Sequence, residues 1–459
     1  MSNLVLIAVL LALTAVAYQI GLSRSRVLAG GGRGSSRLHS RPGYYGALVA
    51  LWCALPAFAI FIVWSWIEPL IVRSMLLADF PGVAEMSSHQ LDALMRRLHS
   101  IATGFVDPAT VQPAEAEAAA RMQHLQAIGQ TAKIGLMAVF AIVGLLYARS
   151  RLAPELRARN QVEKVTRIAL AVCSGIAILT TVGIVLSMFG EAMRFFSFVS
   201  PLDFFFGTKW DPRFSSVGTG AVGSFGLLPL LAGTLLVSAI ALLVAVPIGL
   251  MTAIYMSEYA PAWFRSFAKP VIEVLAGIPT IVYGVFALLI VGPFFASVGE
   301  MIGVQIRATS ALTAGFVMGV MIIPFVSSLS DDIITQVPRS LRDGSLGLGA
   351  TRSETIRKVV LPAALPGIVG AFLLAASRAI GETMIVVLAA GNSPLLHANP
   401  LEAVSTVTVS IVNQLTGDTD FASPQSLVAF ALGLTLFVIT LGLNVVALYI
   451  VRKYREQYE

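Results

Sequence analysis

Nine long apolar runs, at 4–20, 46–72, 132–148, 167–188, 227–256, 271–297, 309–330, 363–391 and 425–451, limit what this chain can fold into. About 20 such residues, wound as a helix, cross the hydrocarbon core of a bilayer. Backbone groups in lipid must pair inside their own segment, so each run is expected to be a helix. With 56% apolar and 12% charged residues and a mean hydropathy of +0.82, the chain could not clothe a soluble globule in polar surface. The expected fold is therefore all-α, an integral membrane protein with nine transmembrane helices.

The net charge of +6 does not indicate nucleic acid, because Lys and Arg gather in short loops between the runs, with no basic face interleaved with aromatics. That placement is a topology signal. Arg24, Arg26, Arg33, Arg37 and Arg41 follow the first run without an acid among them, and Arg149, Arg151, Arg157, Arg159 and Lys164 follow the third. Both loops are expected in the cytoplasm. Alternation then puts 257–270, 331–362 and the tail with Arg452, Lys453 and Arg455 inside, and puts 392–424, with Glu402, Asp418 and Asp420 but no Lys or Arg, outside with the N-terminus. The first run lacks the basic segment that opens a secretory signal, although Ala15-Val16-Ala17 resembles a cleavage site, and it is expected to remain as a span. Cys53 and Cys173 lie far apart in apolar runs, without metal or disulfide spacing.

The stretch 73–131 is the longest expected outside the membrane. Segments 88–102 and 113–129 have helical periodicity, the first with Leu91, Leu94, Met95 and Leu98 on one face and Ser87 or Ser88 as cap, and they predict a helical hairpin lying over the membrane surface. Its histidines, His89, His99 and His124, match no metal spacing. Residues 30–37, rich in Gly, Ser and Arg, read as a flexible linker rather than a phosphate cradle. No lysine follows a glycine anywhere, as a P-loop would require, so the chain offers no site for hydrolysing ATP and no cofactor is expected.

The loop at 331–362 is several times longer than an ordinary connection. It holds a polar, glycine-rich stretch from Arg342 to Gly349, then Thr351 and Glu354 at the spacing of a capping box, with Ile356, Val359 and Val360 on one face of the helix that follows. Gly347 and Gly349 allow a sharp turn before the cap. Spacing alone fits either a short helix that takes a push from a soluble subunit or an interfacial helix without a partner.

These residues resemble the coupling motif of ATP-binding-cassette importer permeases, which runs Glu-Ala-Ala, three residues, Gly, nine residues, then Ile-x-Leu-Pro. Asp343, Gly344, Ser345, Gly349, Val359, Leu361 and Pro362 stand at those places, with Asp for Glu, Gly and Ser for the two Ala, and Val for Ile. The segments Phe206 to Pro212, Ala276 to Pro279 and Arg378 to Met384 are similar to PstC-type permeases of bacterial phosphate importers, over 160–459. The resemblance implies a core of six spans preceded by an extension, 1–159, that contains three spans and the external hairpin. It further implies a second permease of the PstA type, a pair of ATP-binding subunits seated on 331–362, an extracytoplasmic phosphate-binding protein, and a place in the bacterial inner membrane.

Arg378 and Glu382 carry charge into the eighth run, where each costs about 2.5–3.5 kcal/mol on insertion scales. In one continuous helix, residues four apart share a face. Arg378 offers phosphate two parallel donors, and Glu382 can neutralise it when the site is empty. The bland reading is an ion pair that locks the helix to its neighbour. Together with the resemblance, Arg378, Glu382 and Thr383 are expected to line the path of the anion. Sulfate or molybdate in place of phosphate, or a signalling scaffold, are the rival functions. Lys209, Trp210, Asp211 and Arg213 fit either a contact with a binding protein or an aromatic anchor at the membrane surface.

Overall fold

The computed structural model describes residues 3–29, 38–79, 88–106, 111–212, 223–417 and 423–455. Among these, nine helical stretches are long and apolar enough to cross a membrane. The linker 30–37 and the cap at Ser87 lie outside the described residues, as do Arg213, Asp418 and Asp420. Two compact units divide at 178/179, inside helix α5 (Ala158–Phe196).

The first unit is built on α1 (Asn3–Leu28), α2 (Pro42–Asp79), α3 (Ser88–Ala102) and α4 (Pro113–Ser150). Helices α2 and α4 have 38 residues each, a rise of about 57 Å against a hydrocarbon thickness of about 30 Å. The expected hairpin is thus corrected. Its second leg is the first half of α4, continuous with the third span, because the alanines and glutamates of 113–120 are strong helix formers and nothing breaks the ladder after them. The first leg, α3, packs against the far ends of both long helices, with Leu98 and Ile101 on Val72, Leu76, Ala119 and Met122. Ion pairs Arg73–Asp92 (2.9 Å) and Arg97–Glu115 (3.2 Å) tie the same ends.

Deeper in this unit, Lys133 and Glu68 form a shielded pair at 2.8 Å between α4 and α2. The two helices approach closely at Gly144, where a Cβ would collide with the Trp52 carbonyl oxygen. Gly144→Val is therefore expected to force them apart and cost about 2–3 kcal/mol. Thermal unfolding of the purified chain in detergent checks this, and an unchanged midpoint would contradict the close approach.

The second unit begins with the rest of α5, a short α6 (Pro201–Phe206) and the two-residue strands β1 (Trp210–Asp211) and β2 (Ser224–Phe225), which pair antiparallel. Trp210 is buried and stands edge-on to Phe225 at 6.0 Å, inside a cluster with Phe195, Phe204 and Leu230. The anchor reading of Trp210 is overturned, since its ring is core.

The centre of the unit is the pair α7 (Leu228–Ile254) and α11 (Ala311–Gln336). Gly315 and Gly319, four apart, bring α11 against Ile240 and Val244 of α7, and Gly249 of α7 returns the contact on Val326. Small residues let helix backbones meet where no hydrophobic effect drives them together. A π turn, Tyr255–Tyr259, ends α7.

The expected span at 271–297 is redrawn. Residues 271–276 belong to α8 (Ala262–Ala276), and the candidate span starts afresh at Thr280, through α9 (Thr280–Phe286), a π turn (Ala287–Val291) and α10 (Gly292–Met301). Pro279 has no N–H to continue the ladder and pushes Ile278 out of helical geometry. Helix α8 turns its polar side to α11, where Arg265 reaches both oxygens of Asp331 at 3.0 Å and Lys269 reaches one at 2.9 Å. The bond to Asp331 holds the Lys269 ammonium above the usual lysine range.

Helices α12 (Arg339–Gly347), α13 (Arg352–Thr355), α14 (Leu361–Ile380), α15 (Met384–Ala389), α16 (Val407–Gly417) and α17 (Pro424–Arg455) complete the unit. The stretch expected as an outer loop, 392–424, does not stay at the surface. Residues 403–410 are all buried, with Val404 and Val409 in the cluster formed by α7 and α11.

Candidate coupling segment and translocation site

What the sequence presents as a glycine-rich loop is mostly helix. Helix α11 runs on to Gln336, and Asp343, Gly344 and Ser345 lie inside α12. Gly349 supplies the stop: its φ is +86°, its N–H donates to the Leu346 carbonyl at 2.9 Å, and the Ala350 N–H donates to the Ser345 carbonyl at 3.2 Å. That is a Schellman ending with Gly349 at the left-handed position, which only glycine occupies without strain.

The capping box forms as expected, with the Glu354 N–H on Thr351 Oγ1 and the Thr351 N–H on the Glu354 carboxylate. The helix it opens is not a separate outside piece, however. It passes through a π turn, Ile356–Val360, into Leu361 and Pro362 at the start of α14. Pro362 has no N–H for the preceding turn, and the ladder shifts to a wider ring there. Ser345 Oγ meets Thr355 Oγ1 at 3.0 Å and joins α12 to α13.

Two arginines tie this segment to α7. Arg342 pairs with Glu258 of the π turn at 2.9 Å, while Arg352 donates to the Glu258 carbonyl and stacks 5.4 Å over the Tyr259 ring. Sequence reasoning missed Glu258 and Arg352. A lone acid in an otherwise basic loop, Glu258 among 257–270, was the available signal.

The eighth span is broken, which corrects the shared face of Arg378 and Glu382. Helix α14 stops at Ile380 with Gly381 as its cap, and Glu382 stands in the gap before α15. Gly381 weakens the helix, and the Glu382 side chain offers a competing bond, its Oε1 accepting from the Met384 N–H at 3.2 Å. Thr408 of α16 donates to the Glu382 carbonyl at 2.8 Å, so the buried 403–410 stretch holds the gap in place. Thr383 lies in the same gap, its hydroxyl 3.4 Å from the Gly381 carbonyl.

Arg378 is exposed in the last turn of α14, its guanidinium 5.5 Å over the Phe325 ring of α11. Among the described residues no carboxylate pairs with it, Glu382 included. A guanidinium lying on a ring keeps its N–H edges free for acceptors that arrive from solvent. Phe325 and Thr408 carry no sequence signal of their own, because both sit in apolar or uncharged stretches.

Among the described residues, nine apolar helical stretches, a broken span beside an arginine without a carboxylate partner, and a polar segment braced to the ends of two spans make a multi-pass membrane protein. The sequence matches the family described as binding-protein-dependent transport system inner membrane component over 245–456, and one described as phosphate ATP-binding cassette transporter over 7–180. A probable ABC transporter permease protein of Bacillus subtilis, YqgH, is 34% identical over 62% of this chain and 89% of its own. The phosphate transport system permease protein PstC of Mesorhizobium japonicum is 32% identical over 59% of this chain and 84% of its own. A crystal structure of a bacterial ABC transporter involved in import of the polysaccharide alginate aligns with a TM-score of 0.43 at 17% identity, over 65% of this chain and 99% of that one. The chain belongs to the inner-membrane permease family of binding-protein-dependent ABC importers, and within it is PstC-like. It is the transmembrane subunit, with ATP hydrolysed by a partner.

Proposed function

We propose that this permease carries inorganic phosphate, delivered by an extracytoplasmic binding protein, through a pathway shared with a PstA-like second permease. The observation that carries the reading is Arg378, at the end of a broken span with no carboxylate partner among the described residues. An anion with two oxygens to offer suits its two donor edges. Phosphate is preferred among such anions because relatives and one matching family are named for phosphate transport. Glu382 and Thr383 line the same gap and shape the passage. Residues 160–459 make the permease domain and 1–159 an extension. Within 331–362, on the cytoplasmic side, α12 meets the ATPase pair with Asp343 and the exposed Leu341, Leu346 and Leu348, and Leu361 and Pro362 hand the motion to α14.

Uptake of radiolabelled phosphate by the reconstituted complex tests this. ATP-dependent accumulation that excess sulfate does not compete away is the expected result. Accumulation of sulfate or molybdate instead would reassign the cargo, and ATP hydrolysis that answers to no anion would remove transport from the account.

A further inference from the structure

We infer that Glu258, Arg342 and Arg352 form a brace that delivers movement of α12 to α7 and α11 together, rather than to α14 alone. The inference rests on the reading of α12 as the contact for the ATPase.

Arg342 uses three bonds at once. Its Nη2 donates to Glu258 Oε1 at 2.9 Å and to the Ile334 carbonyl at 2.7 Å, and its Nη1 donates to the Val337 carbonyl at 3.0 Å. Two of those acceptors are at the end of α11 and one is on the π turn that ends α7. The Arg342 and Glu258 side chains are only 19% and 11% exposed. A pair so shielded does not come apart cheaply, because separation leaves a charge buried without its partner. Arg352 adds a second tie from the other side, through the Glu258 carbonyl and the Tyr259 ring. Glu258 therefore meets α12 through its carboxylate and α13 through its backbone.

The geometry beyond the brace gives it a destination. Helices α7 and α11 are locked along their length by Gly249, Gly315 and Gly319, so a displacement received at their ends is shared by both. Phe325, under the Arg378 guanidinium, belongs to α11. Motion of α12 thus reaches the arginine of the pathway through rigid elements, without passing the π turn at 356–360 or the gap at 381–383.

The test uses the full complex with its ATPase pair, second permease and binding protein, supplied with whichever anion the wild type accumulates. Glu258→Gln keeps an acceptor and removes the charge. Arg342→Gln removes the charge from the other side. Both are expected to bind the ATPase pair as the wild type does, to retain basal hydrolysis, and to lose about tenfold in uptake per ATP hydrolysed. Arg352→Gln alters an exposed side chain that folding does not depend on, and a fall of about threefold is expected. Loss of ATPase binding in the Glu258 or Arg342 variants, or full uptake per ATP in Arg352→Gln, overturns the brace. Leu348→Asp examines the underlying reading separately: ATPase binding that survives it removes α12 as the contact, whatever the brace variants do.

Discussion

Uptake is expected to fall by about a hundredfold or more in Arg378→Ala, because on the proposed pathway, closed from water in the assembled complex, loss of the anion's charged partner costs about 3 kcal/mol or more. Arg378→Lys keeps the charge but not the fork of donors, and Lys has a smaller, more tightly hydrated head to lay on Phe325. A loss of about tenfold is expected there. Neither change should disturb assembly, since Arg378 has no ion pair to abandon among the described residues. Transport assays in proteoliposomes, on complexes first shown intact by size-exclusion chromatography, decide the matter. Uptake within twofold of wild type in the alanine variant would end the claim that Arg378 meets the anion.

The second large effect belongs to Gly349. Proline there is held near φ −65°, whereas the site needs +86°, and it removes the N–H that reaches Leu346. The end of α12 cannot close, and a cost of about 3 kcal/mol falls on the segment that meets the ATPase. Gly349→Pro is expected to hydrolyse ATP without matching uptake. Gly344 and Gly347 form the contrast. Both are inside α12 with open space where a methyl group would stand, so alanine at either is expected to firm the helix by about 0.5–1 kcal/mol and leave transport intact. Parallel measurement of hydrolysis and uptake separates the three glycines, and tight coupling in Gly349→Pro would contradict the role assigned to the Schellman ending.

The number of spans was legible because a bilayer demands runs of a length that apolar counting finds. The capping box at Thr351 was legible because both partners are local in sequence. What escaped was decided by contacts between distant residues or by single backbone choices. The glycines at 344, 347 and 349 look alike in a sequence, yet two continue a helix and one ends it. Arg378 and Glu382 keep the spacing of one helical face, but Gly381 and the bond from Met384 divide that helix between them. Glu258 and Arg342 stand 84 positions apart, and no periodicity links them. The continuity of α4 was written in its alanines, but the change from polar to apolar residues at about 131 suggested a boundary that helical propensity does not recognise.

The buried stretch 403–410 bears on how a chain like this is mapped. Hydropathy counts apolar runs long enough to cross, and it is blind to chain that is buried by packing against neighbouring helices without crossing. A water-soluble thiol reagent, applied to cysteines placed one by one through 392–417, would meet silence over 403–410, and that silence would be mistaken for an additional crossing. Every later segment would then be assigned to the wrong compartment. The hydroxyls of Thr406, Thr408 and Ser410 explain how polar residues remain there without water: Thr406 bonds Thr408 at 3.0 Å and caps Val409, Thr408 reaches Glu382, and Ser410 lies against Ser405.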